Sequence, residues 1–335
     1  MFQTAIHLLL QSFENEYLTS FMRVITAIGY IEFFMVFLVF IIFAVDFKKG
    51  FILLLILFWT GGVTVILKEH FNLPRPFHVD NRVQFLDGQL ENESVFEFVD
   101  QGARTFWEPL PAATLSAIRD KGDFAHGFPS GHTSIAIALW GAVFLLFPNK
   151  WVRSLAVALM ILIPFSRIYL GVHFIADVLG GLVIGAFALG ICYRLVLRKQ
   201  KLAHYLRQER MPATVNALSL FLLISPFVVL YFSPLKYIQL PGSLWGYGLA
   251  FLLVANSGFP LNGGSIGQKI GRMFIAMLAY GVVHLGFGYV FDQMSWNENI
   301  PLLFVRFAIE GFAFLWVATR INLQLGWFER AGERP

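Results

Sequence analysis

Apolar residues fall in long runs separated by short polar stretches along the whole chain. A helix that crosses a bilayer needs roughly 20 such residues. The runs predict spans near 28–45, 51–68, 131–147, 153–171, 174–193, 214–232, 243–258, 273–291 and 300–319. The segment 4–22 reads differently. Its Ile6, Leu9, Leu10, Phe13, Tyr17 and Leu18 recur at helical spacing beside Glu14 and Glu16. That is the pattern of a helix lying in the membrane interface, or of a poor first span. The runs are continuous, whereas a membrane β-barrel shows short alternating segments. A basic, polar linker at 194–212 divides the chain into 1–193 and 213–335, and no internal repeat relates the two parts. The expected fold is all-α: a polytopic membrane helical bundle, with the N-terminal helix plus five spans followed by about four extra C-terminal spans.

Composition agrees with this pattern. The 335 residues are 57% hydrophobic and 14% charged, against about 25% charged in soluble domains. Mean hydropathy is +0.66. The single cysteine, Cys192, excludes an intrachain disulfide and reads as apolar filler. Residues 1–11 lack a basic n-region and a small-residue cleavage site, so no signal peptide is expected. The net charge of +4 does not indicate a nucleic-acid partner, because the basic residues sit in short loops between spans. Lys48, Lys49, Lys150 and Arg153 lie in one set of loops. Arg194, Arg198, Lys199, Lys201, Arg207, Arg210, Lys269, Arg272, Arg320, Arg330 and Arg334 fall on the same side. By the positive-inside rule that side is cytoplasmic. The opposite face carries one long loop, 77–128, rich in Asp80, Asp87, Glu91, Glu93, Glu97 and Asp100. Its Phe96, Phe98, Phe106 and Trp107 suggest a partly folded cap. Asn92-Glu93-Ser94 fits a glycosylation sequon, a pattern too short to carry weight.

Three polar clusters interrupt the apolar pattern on that outer face. His173 and Asp177 stand four residues apart at a helix start, so they share one face. A carboxylate beside imidazole fixes its tautomer and leaves the other nitrogen free to attack. Arg167 precedes them by six residues, across Gly171, and can grip phosphate oxygens in a fork. Pro129-Ser130-Gly131-His132 opens an apolar run, so Ser130 is a natural N-cap and the free N–H groups suit an anion. Lys68 ends a span, and Arg75 follows between Pro74 and Pro76. Each cluster alone also reads as an ordinary helix-end pair, a cap or an interfacial anchor. Together they put cations on the face that the positive-inside rule leaves poor in them.

The pattern Lys-x6-Arg-Pro, Pro-Ser-Gly-His, Ser-Arg-x5-His-x3-Asp resembles the signature of the type 2 phosphatidic acid phosphatase superfamily, with all eleven positions matched over 4–193. The resemblance implies a membrane lipid phosphate phosphohydrolase that works through a phosphohistidine and needs no metal or other cofactor. His173 would be the nucleophile, Asp177 its orienting partner and His132 the general acid. Lys68, Arg75, Ser130, Gly131 and Arg167 would bind the phosphoryl oxygens. The neighbours Leu73-Pro74-Arg75-Pro76 and Ser166-Arg167-Ile168-Tyr169-Leu170-Gly171-Val172-His173 are similar to the sphingoid-phosphate phosphatase subgroup. The expected partner is a membrane lipid phosphate. The expected location is a bacterial inner membrane, with the site facing the periplasm. A phosphotransferase would use the same residues.

The C-terminal part carries none of the signature. Arg306 and Glu310 lie at i, i+4 in the last span and His284 in the one before. They read as a structural pair, or as a second ligand or proton site in a transporter-like bundle. Met211, Met273 and Met277 read as packing residues. Asp123 and His126 read as solvated loop residues or as headgroup contacts.

Overall fold

A computed structural model describes residues 1–88, 97–121, 126–211, 217–233 and 235–330. Asp123, the Asn92 sequon, Glu91, Phe96, Pro212 and Arg334 lie outside these. Helices account for nearly all the regular structure. In chain order they are α1 (Ala5–Gln11), α2 (Glu16–Ala27), α3 (Ile31–Phe40), α4 (Phe47–Phe71), α5 (Pro76–Val79), α6 (Ala112–Arg119), α7 (Gly131–Leu146) and α8 (Lys150–Tyr169). Then follow α9 (Ile175–Cys192), α10 (Lys199–Arg207), α11 (Ala217–Phe232), α12 (Gln239–Ser257), α13 (Ile266–Gln293), α14 (Ile300–Phe312) and α15 (Ala318–Gln324).

Among the described residues, six helical segments are long and apolar enough to cross a membrane: Phe47–Val79, Lys150–Tyr169, Ile175–Leu197, Leu235–Ser257, Ile266–Gln293 and Ile300–Gln324. The pair Glu16–Ala27 and Ile31–Val45, bent by 56°, makes a possible seventh. Two expected spans, Gly131–Leu146 and Ala217–Phe232, are shorter apolar helices. At 1.5 Å per residue, the 16 residues of Gly131–Leu146 reach about 24 Å, less than a hydrocarbon core of about 30 Å. The N-terminal segment is not one helix. It breaks after Gln11, and the Asn15 side chain restarts it by accepting the Leu18 N–H at 3.0 Å.

The chain packs as two compact units. The first is Met1–Phe34 with Trp59–Arg194; the second is Met35–Phe58 with Leu195–Pro335. The segment 35–58, read from the sequence with the N-terminal part, thus groups with the C-terminal helices.

In the first unit α7 packs on α8 and α9. Gly181 and Gly185 line one face of α9, where added β-carbons would sit 2.5 Å from the carbonyl oxygens of Ser130 and Ser134. Small residues at this spacing let two backbones touch. The outer loop folds onto this unit through two apolar clusters. Val79, Leu110 and Ile118 pack with Phe174 and Ala176, and Met1, Phe2 and Phe98 cover them. Leu86 packs with Met22, Tyr169, Leu170 and Val172. Gln11 fastens α1 to the loop, donating to the Gln84 carbonyl at 2.7 Å and accepting its N–H at 3.0 Å. Phe98 therefore belongs to the cap, whereas Trp107 is 80% exposed.

In the second unit α12 packs on α11 and α14. Phe51 stacks on Phe251 with centroids 3.7 Å apart. The Asn262 amide spans the π-helical turn after α3, donating to the Ile42 carbonyl at 2.8 Å and accepting the Phe47 N–H at 2.9 Å. Arg272 is not a loop cation as its position suggested. It lies inside α13, fully buried, bonded to the Gly263 carbonyl and set 4.5 Å from the Phe328 ring centroid. Arg306 and Glu310 do pair, Nε to Oε1 at 2.9 Å, and His284 Nδ1 meets the other carboxylate oxygen at 3.0 Å.

Gly185→Leu should separate α7 from α9 and lower the stability of the detergent-solubilised protein by about 1–3 kcal/mol, the usual cost of overpacking. Thermal unfolding reads this; an unchanged melting curve would show that the contact is dispensable. Glu310→Ala should cost about 1–2 kcal/mol, typical of polar contacts between membrane helices. Replacing both partners, Arg306→Met with Glu310→Leu, should recover part of it.

Candidate active site

All eleven signature positions lie in the first unit. Their geometry begins where α8 ends. The chain leaves Tyr169 and reverses at Gly171, whose φ of 75° is costly for a residue with a β-carbon. Val172 and His173 both donate their N–H groups to the Arg167 carbonyl, at 3.1 and 3.3 Å, which closes the turn. Helix α9 then starts at Ile175, and Asp177 reaches back to its beginning. One carboxylate oxygen accepts the Phe174 N–H at 2.9 Å and faces His173 Nδ1 at 3.2 Å. The cap and the imidazole partner are therefore the same atom. With Nδ1 held there as the donor, Nε2 keeps the lone pair.

A second helix start meets the first. The Ser130 N–H donates to the Asp177 backbone carbonyl at 2.9 Å. The Ser130 hydroxyl caps α7, accepting from the Thr133 N–H at 3.4 Å and the Thr133 hydroxyl at 3.1 Å. His132 stands in that first turn with its ring edge-on to Tyr30, centroids 4.5 Å apart. Its Nε2 is buried without a hydrogen-bond partner among the described residues. Lys68, near the end of α4, donates to the carbonyls of His126 and Gly127 at 2.7 and 3.3 Å. The Arg75 N–H donates to His78 Nδ1 at 3.1 Å as Pro76 opens α5.

The charges of Lys68, Arg75 and Arg167 all bear on both histidines. Burial, followed by those three cations, holds the His173 imidazole well below the ordinary histidine value of 6.5. Such a site has paired helix N-termini, fixed cations and a neutral, carboxylate-oriented imidazole. Chemically it can hold a phosphoryl group and present a nitrogen nucleophile to it.

Several residues at the site carry no sequence signal. Asp87, in the outer loop, pairs with Arg167 at 3.0 Å. Tyr30 donates to the same Asp87 oxygen at 2.7 Å, and Thr26 accepts from Arg167. His7, fully buried in α1, donates from Nε2 to the His173 carbonyl at 3.0 Å. Burial lowers its pKa, so it serves as a neutral donor. These partners stand 57 to 166 residues from the groups they hold, beyond any local motif. His126 is not a solvated loop residue. Its side chain is 10% exposed, with Nδ1 3.6 Å from Glu69.

Residues 49–201 match the family model described as the PAP2 superfamily. That match takes in all eleven signature positions. The chain is a multi-pass membrane protein. A lipid A 4'-phosphatase of Porphyromonas gingivalis is 36% identical over 72 residues, which cover 22% of this chain and 30% of the relative. An undecaprenyl-diphosphatase of Sulfolobus acidocaldarius is 38% identical over 63 residues, 18% of this chain and 30% of that one. The chain thus spans under a third of the length of these two relatives. A crystal structure titled as the first transmembrane PAP2 type phosphatidylglycerolphosphate phosphatase, from Bacillus subtilis, matches 57% of this chain and 85% of its own, with 22% identity and a TM-score of 0.39.

In the substrate-free protein, NMR of ring-labelled histidine should show the His173 resonance, assigned by its loss in His173→Asn, still neutral at pH 6. Lys68→Met removes one repelling cation and should move that titration upward, toward 6.5. A wild-type titration at or above 6.5 would contradict the electrostatic picture.

Proposed function

We propose that the protein is an integral-membrane lipid phosphate phosphohydrolase that removes a terminal phosphate at the outer, periplasmic face of a bacterial inner membrane. The observation that carries this reading is the His173–Asp177 pair, with Nε2 unencumbered by the carboxylate and three cations bearing on it. The outer-face assignment rests on the basic loops, which the positive-inside rule puts in the cytoplasm. The similarity to a lipid A 4'-phosphatase and to an undecaprenyl-diphosphatase supports a lipid-linked phosphate as the substrate.

In the proposed reaction His173 Nε2 attacks phosphorus as the bond from phosphorus to the lipid oxygen breaks. Asp177 stabilises the positive charge that develops on the imidazole, through Nδ1–H. His132 delivers a proton to the departing oxygen, so that an alcohol or a lipid monophosphate leaves. The incoming phosphate's negative charge offsets the three cations and allows His132 to hold that proton. Lys68, Arg75, Arg167 and the N–H groups of the α7 start stabilise charge on the equatorial oxygens. Water then attacks the phosphohistidine, gives its proton to His132 and releases inorganic phosphate, which returns His173 to its starting form. The charge stabilisation in this scheme comes from side chains and backbone, without a metal.

His173→Ala should insert and melt like the wild type and lose phosphate release by about a thousandfold or more, as nucleophile deletions do. Wild-type turnover should persist in chelator and be inhibited by vanadate. The readout is phosphate release by purified protein across lipid A, phosphatidylglycerophosphate, polyprenyl diphosphate, phosphatidate and sphingoid phosphate. Full activity of His173→Ala would end the phosphohistidine mechanism. A labelled lipid product in place of free phosphate would redirect the reading to phosphotransfer.

A further inference from the structure

We propose that Asp87 is a specificity-determining residue: a resident carboxylate that shares Arg167 with the substrate and limits how much negative charge the site accepts. This rests on the phosphatase reading above. The Asp87 oxygen lies 3.0 Å from Arg167 Nη1, with the two side chains 5% and 3% exposed. The pair is held from several sides. Tyr30 donates to the same carboxylate oxygen at 2.7 Å, and its ring packs edge-on against His132. The preceding residue is clamped as well. The Leu86 N–H donates to the Leu170 carbonyl at 3.1 Å, and Arg23 Nε donates to the Leu86 carbonyl at 2.6 Å. Asp87 is therefore fixed to the same turn that delivers His173.

Arg167 is only partly used by this pairing. Its Nη1 serves Asp87 and Thr26, while its Nε is buried without a hydrogen-bond partner among the described residues. A planar guanidinium can give one edge to a carboxylate and another to a phosphate. A phosphoryl oxygen arriving at Arg167 thus meets a cation whose charge is already half-committed. With both imidazoles neutral, the cations Lys68, Arg75 and Arg167 face the carboxylates Asp177 and Asp87, and Glu69 also acts on Lys68. Removing the Asp87 charge makes the site more positive by one unit. A phosphate monoester carries about −1.5 to −2 near neutral pH, and a terminal diphosphate carries more. The Asp87 charge opposes both and opposes the diphosphate more strongly. The geometry therefore biases the site toward lipid monophosphates, with weak retention of free phosphate.

Asp87→Asn removes the charge while keeping an oxygen to accept from Tyr30 and Arg167. Inorganic phosphate binding, measured by calorimetry, and vanadate inhibition should each tighten by about tenfold, in keeping with loss of a like charge at close range. The ratio of kcat/KM for a lipid diphosphate to that for the matching monophosphate should rise by a similar factor. Asp87→Ser should shift all three readouts the same way. If Asp87 were only a structural anchor, its loss would weaken phosphate binding and lower the melting temperature; that result, or unchanged constants, overturns the proposal. Failure of both variants to fold would do the same. Phosphate binding needs no turnover, so the two readings separate. A wild-type protein that binds phosphate but hydrolyses no lipid phosphate would remove the phosphatase reading, and the binding ratio would still decide the role of Asp87.

Discussion

The site depends on one residue that bonds in three directions. Asp177 caps α9 through Phe174, orients His173 through the same carboxylate oxygen, and receives the start of α7 on its backbone carbonyl through Ser130. A helix start leaves N–H groups without partners and attracts negative charge. Bringing two such starts together is unfavourable unless something anionic lies between them. Asp177 supplies part of that charge from within the chain, and a phosphate would supply the rest. The nucleophile, the acid and the anion-binding backbone therefore share one mechanical origin.

Around this point the protein balances buried charge rather than avoiding it. An isolated buried cation is costly, so each is paired or bonded. Lys68 is held by two backbone carbonyls and Arg167 by Asp87 and Thr26. The second unit solves the same problem differently. Arg306, Glu310 and His284 satisfy one another, and Arg272 combines a carbonyl with the face of Phe328. Neither balance is complete: among the described residues Arg167 Nε and His132 Nε2 in the first unit, and Arg272 Nη1 in the second, are buried without a hydrogen-bond partner.

Much of this was legible in the sequence because the signature residues sit at helix starts and ends, where spacing alone fixes geometry. His173 and Asp177 had to share a face, and Ser130 had to cap the helix it precedes. The elements that escaped were decided by distant contacts. Nothing near Asp87 announces that it will meet Arg167 some 80 residues later, and His7 reads as one more polar residue in an amphipathic stretch. The break before α2 was readable, since Asn15 followed by Glu16 is an ordinary helix start, but the continuous apolar period obscured it. Arg272 was misplaced for the opposite reason. A cation at the edge of an apolar run looks like a loop anchor, and only the packing of Phe328 over it reveals a buried one.

The glycine pair on α9 has a consequence for how the enzyme-like centre meets its solvent. Gly181 and Gly185 of α9 lie directly against the Ser130 and Ser134 carbonyls of the α7 start, with Thr133 and Ile137 packed beside them. Helix α7, which carries His132, and helix α9, which begins just after His173, are thereby packed closely together. A bilayer that thickens or thins acts on helices by tilting them, and here it must tilt both together. A change of tilt would therefore carry the Ser130–His132 turn and the His173–Asp177 turn with it as a pair.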